Sequence, residues 1–110
     1  MKILIATDKF KGSLSAQNVC QALSTGIQKT NPNVHIISKP LADGGDGSLA
    51  VLDHYFDLKT ITKIVQDPLG RPITAYYKMA ANNAYIEMAP ASGLALLKPT
   101  ERNCMNASSY

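Results

Sequence analysis

Tryptophan is absent from this 110-residue chain and other aromatic residues are scarce, while the hydrophobic share of 45% is ordinary for a globular protein. Charge of one sign is lacking as well. Eleven basic and eight acidic residues leave a net charge of +3, spread along the sequence, which provides neither the basic stripe of a nucleic-acid binder nor an acidic tail. The two cysteines, Cys20 and Cys104, form no C-x-x-C pair of the metal or redox kind, so two free thiols in a reducing compartment are expected. No apolar run approaches the ~18 residues of a membrane span. The opening apolar run, residues 3–6, falls short of the roughly 7–15 residues a signal peptide requires, so no membrane association and a cytoplasmic location are expected. The chain also lacks GxxxxGK[ST], a GxGxxG after its first strand, and kinase-type H-R-D and D-F-G, which removes the commonest nucleotide signatures.

What is present has a clear order. Residues 2–7 (KILIAT) are apolar and β-branched on consecutive positions, as in a strand buried on both faces of a parallel sheet. A Gly- and Ser-containing loop follows. Ser15 is a natural N-cap, and Ala16, Val19, Leu23 and Ile27 then recur at helical spacing until Asn31-Pro32-Asn33. Residues 34–39 read as a second strand stopped at Pro40. The glycine-rich stretch LADGGDGS leads into a helix through Phe56, with Leu49, Leu52 and Phe56 facing inward. This β-α-β-α series predicts a doubly wound α/β sheet.

Residues 60–65 and 73–79 are strand-like and separated by the turn-rich DPLGRP. Ile73, Ala75, Tyr77 and Met79 share one face. A turn at Asn82-Asn83 leads into a third strand at residues 85–88. The division predicted is a βαβα unit over residues 1–57 and the incomplete start of a second, strand-rich α/β domain over residues 58–110.

Ligands of open α/β sheets bind beyond the carboxyl ends of the strands. Two polar loops occupy such ends, and both open helices whose N-termini favour anions. The first offers Asp8, Lys11, Gly12 and Ser13: Lys11 to neutralise a phosphate or carboxylate, Gly12 to allow close backbone approach, Ser13 to donate, Asp8 to hold a metal or accept a proton. The alternative is that Ser13 or Ser15 only caps a helix while the lysines are solvated. The second loop, Asp43-Gly44-Gly45-Asp46-Gly47, leaves two carboxylates among three glycines. Phosphoryl transfer needs a divalent metal and a group that orients the attacking hydroxyl, and one or both aspartates fit such roles. Asp46 as a simple helix cap is the competing reading. Glu87, alternating with Ile86 and Met88, is either an inward carboxylate or a solvated position. His35 and His54 read as structural.

These segments resemble a known family. KILIATDKFKGSLSA is similar to the "APDSFKGSLSA" opening of bacterial glycerate kinases of the class I type, and PLADGGDGS to their "PLADGGEGT". DPLGRPITAYY, YIEMAPASGLALL and ERN resemble later family segments in the same order, and ASSY at 107–110 a TTTYG-type segment. The resemblance implies ATP-dependent, Mg2+-assisted phosphorylation of glycerate, on a fold of two α/β domains, one of them flavodoxin-like (Rossmann-like). It carries over Lys11, Gly12 and Ser13 from the first motif, and Asp43, Gly44, Gly45 and Gly47 from the second. The roles expected are Asp43 and Lys11 as catalytic, Asp8, Gly12, Ser13, Gly44, Gly45 and Glu87 around the substrate, and Asp43 with Asp46 at the metal. Lys9, Asp46 and Asp67 depart from the residues usual in the family. Family members are several times longer, so the chain is expected to be an N-terminal fragment, inactive without the remainder of the kinase chain. The alternative function is a non-catalytic module that binds a small organic acid. A phosphoacceptor receiver would need an acceptor Asp after a third parallel strand, and the chain turns into a meander first.

Overall fold

The computed structural model describes residues 1–108. It divides into two compact units, Met1–Asp43 and a second from Gly44 onward. The division comes earlier in the chain than residue 57, for a reason given below.

In the first unit, strands β1 (Lys2–Ile5) and β2 (His35–Ser38) pair in parallel, with Leu4 opposite Ile37 and Ile5 opposite Ser38. Helix α1 (Ala16–Thr30) connects them. Its start is set by Ser15, whose Oγ accepts from Asn18 N at 3.2 Å, and its end by Asn31, whose N–H reaches Ile27 O ahead of Pro32. The helix buries Ala16, Val19 and Cys20, but Leu23 is 45% exposed. Ser24 takes the expected place of Leu23, bonding Cys20 O and the Ser38 hydroxyl, so the buried stripe runs one position later along the helix. Cys20 and Cys104 are both unbridged.

One expectation fails here. β1 is covered on a single face, because α1 packs on the side of Ile5 while Leu4 and Ile37 point the other way. Ile5 is 5% exposed and Leu4 63%.

The second unit begins with helix α2 (Ser48–Tyr55), followed by an antiparallel meander of β3 (Lys59–Gln66), β4 (Pro72–Ala80) and β5 (Asn83–Tyr85). Phe56 does not continue the helical face. It is the C-cap residue, in extended backbone and 55% exposed, so helical spacing ends before it, and Leu49 and Val51 are the residues buried. The β3–β4 connection is closed by Asp67 N to Arg71 O and Gly70 N to Asp67 O. Asp67 is buried, and its carboxylate accepts from Leu69 N, Arg71 N and Arg71 Nε. The β4–β5 turn is Ala81-Asn82, with Ala80 paired to Asn83. The third strand therefore starts two residues before the expected position and ends before Ile86. A helical turn, Ala89–Ser92, and two short 3₁₀ turns follow.

Two contacts tie α2 to residues that follow it in the chain. Asp53 meets Lys78 Nζ of β4, a buried lysine that also donates to Thr60, and Glu87 binds the helix start. This is why the boundary precedes α2. No helix among the described residues is long and apolar enough to cross a membrane.

Candidate functional site

Beyond their last paired residues, β1 and β2 stay side by side. Lys39 N donates to Ile5 O and Leu41 N to Thr7 O at 2.9 Å. The loop that begins at Asp8 and the stretch that ends at Asp43 thus leave the same carboxyl edge from adjacent positions. That is the edge at which α/β sheets take ligands.

The first loop is a small closed turn. Phe10 N bonds Leu14 O, and Ser13 N and Leu14 N both bond Phe10 O, which sets Lys11, Gly12 and Ser13 at an exposed tip. Neither the Lys11 ammonium nor the Ser13 hydroxyl has a protein partner among the described residues, so both are open to an anion. Capping of α1 falls to Ser15 alone. Asp8 accepts from Lys9 N at 2.6 Å and is otherwise turned to solvent.

The glycine-rich loop crosses the boundary between the units. Asp43 closes the first and is exposed. Gly44 and Gly47 sit at φ 95° and 92°, left-handed backbone that L-residues rarely adopt, so these glycines are required by conformation. Gly45 O accepts from both Ser48 N and Ser48 Oγ. Asp46 is exposed and does not cap α2.

That cap is supplied by Glu87. Its Oε1 accepts from Gly47 N and its Oε2 from Leu49 N, each at 2.9 Å, and the residue is 7% exposed. Both oxygens accept from main-chain donors, which makes Glu87 the cap of α2. The donors expected to hold an anion at α2 are engaged internally for the same reason. Periodicity had pointed to an inward carboxylate here, but nothing in it named the partner.

Sequence reading also missed the pairing of Asp67, Arg71 and Glu101. Arg71 Nε meets Asp67 Oδ2 at 2.6 Å and Nη1 meets Glu101 Oε1 at 2.9 Å. Burial works to raise the Asp67 carboxyl, but hydrogen bonds from Arg71 and Leu69 outweigh it and hold the group below its ordinary value. Glu101 is lowered by the Lys98 N–H and by Arg71. A cleft of about 390 Å³ lined by Pro68, Met88, Leu94, Leu97 and Cys104 contains none of the expected site residues. No group of three or more metal-ligating side chains occurs among the described residues. Ser109 and Tyr110, the end of the segment compared with TTTYG, lie outside them.

A parallel strand pair joined by a helix, with both following loops at one carboxyl edge, defines the start of an α/β fold. More narrowly, the sequence model of the glycerate kinase family matches residues 3–110, and the chain belongs to that family. It is 38% identical over 112 residues to a glycerate kinase of Haemophilus influenzae, covering 100% of this chain and 30% of the relative. Against a glycerate kinase of Bacillus subtilis it is 40% identical over 105 residues, covering 94% and 28%. A crystal structure described as a glycerate kinase 2 from Salmonella typhimurium LT2 superposes with a TM-score of 0.71 at 36% identity, over 99% of this chain and 30% of that one. The chain thus spans under a third of the length of these relatives.

Proposed function

We propose that this segment contributes the glycerate-binding part of a cytoplasmic kinase that transfers the γ-phosphoryl group of ATP to a glycerate hydroxyl. The observation that carries the reading is the Leu41 N to Thr7 O bond, which brings the Lys11 and Asp43 stretches out at one sheet edge. Lys11 and Ser13, both without protein partners among the described residues, hold the glycerate carboxylate or a phosphate by charge-assisted bonds. Gly12 carries no side chain to keep substrate away from the main chain, and Asp8 borders the same edge; Gly44 and Gly45 give the second loop the same freedom of approach. Asp43 orients the attacking hydroxyl. Asp43 and Asp46 are each a hard oxygen donor of the type Mg2+ takes in ones and twos beside substrate phosphates, so the chemistry of either suits that ion. Bound there, Mg2+ would supply neutralisation of phosphate charge.

The test is Asp43→Asn in a chain of full family length, assayed as glycerate-dependent ADP release. A loss of kcat of about a hundredfold or more is expected for a group that orients the nucleophile. Turnover near the parental rate would reject the role. Thermal stabilisation by glycerate without any ADP release from the parent would favour a binding module.

A further inference from the structure

Resting on the kinase reading above, we infer that Glu87 is a positioning residue for the glycine-rich loop. Its carboxylate holds the Gly47 end of that loop, next to Asp46, through the two main-chain bonds at the start of α2.

The argument begins with what α2 lacks. Its N-cap is Gly47, which has no side chain to offer, and no side-chain cap comes from its own sequence neighbours. An eight-residue helix is too short to be stable alone and leaves its first N–H groups unpaired. A Ser or Asp at the cap would satisfy them locally and leave the preceding loop free to choose its conformation. Here the acceptor comes from forty positions along the chain and takes two N–H groups at once, at Gly47 and Leu49. Between them Ser48 N turns back to Gly45 O, and so does the Ser48 hydroxyl. Three successive amides are therefore directed, and the peptide planes on either side of Ser48 are fixed by a two-point grip.

A buried carboxylate is costly unless it is fully hydrogen-bonded, and the helix N-terminus favours its charge. The grip also leaves Gly47, Ser48 and Leu49 with no N–H for a ligand. What the loop presents outward is then the Asp46 side chain, whose direction depends on the conformation of Gly47, which Glu87 holds through its N–H.

The experiment compares Glu87→Gln with Asp53→Asn in a chain of full family length. Asp53 grips the same helix through Lys78 but does not touch the loop. Glu87→Gln is expected to lower kcat about tenfold and raise the Mg2+ concentration for half-maximal rate about fivefold or more. It should also speed hydrogen exchange at the Gly47 and Leu49 amides. Asp53→Asn should leave the Mg2+ dependence at the parental value. If parental turnover is present and the two variants share one Mg2+ dependence, the positioning role is overturned and the kinase reading stands. No glycerate turnover in the parent would overturn both. Should Glu87→Gln fail to fold, Glu87→Asp serves in its place, since a carboxylate one methylene shorter cannot reach both amides. Parental Mg2+ dependence and exchange in that variant would overturn the role.

Discussion

Ala81 sits at φ 49° in the β4–β5 turn, the left-handed region where a Cβ crowds the following carbonyl. Asn82 beside it is among the residues that tolerate such backbone best, yet the strained position falls to alanine. Ala81→Gly should therefore raise stability by about 0.5–1 kcal/mol, seen as a higher midpoint in urea or thermal unfolding. An unchanged or lower midpoint would show that the turn relaxes without strain. Single residues were also where sequence reading reached its limit. FKGS and ADGG marked Lys11, Ser13 and Asp43 because charged and hydroxyl residues sit there beside glycines in short loops. Glu87 carried no such mark, since its partners are main-chain amides about forty residues upstream and no motif encodes that separation.

Among the elements, the β3–β4 connection has a stability that depends on protonation. Asp67 and Glu101 are both held below their ordinary carboxyl values in the folded state, and Arg71, raised chiefly by its bond to Asp67, joins them. A depressed folded value means the contribution is complete above the unfolded carboxyl range of about 4 and is lost as pH falls through the lower folded values. The urea midpoint should hold from pH 7 to about 5 and fall below about 4. In Arg71→Leu that acid-side fall should be shallower. Equal slopes in the two proteins would show that other carboxylates set the acid limit. The sequence announced this turn through DPLGRP but not its tie to Glu101, which lies thirty residues on. α1 was legible for the opposite reason: cap, period and terminator all lie within its own stretch. The exception, Ser24 in place of Leu23, arose from a hydroxyl pair with Ser38 on another element.

For the molecule as a whole, consecutive apolar residues in β1 suggested two covered faces, and the described structure covers one. Leu4→Thr should then change the stability of this chain by no more than about 0.5 kcal/mol, whereas Ile5→Ala should cost about 2–4 kcal/mol. Chemical denaturation of the two variants decides the matter, since similar losses would mean that Leu4 is packed too. The parallel pair followed by a meander was legible from periodicity, and it holds. The two compact units meet between Asp43 and Gly44, and α2 is bound through Asp53 and Glu87 to residues that follow it in the chain.

The Glu87 cap has a consequence for the order of assembly. A helix of eight residues cannot persist until its first amides are satisfied, and their acceptor enters only after β3, β4 and β5 have been laid down. The start of α2 thus settles only once Glu87 is in place, and it loses that support whenever Glu87 is drawn away.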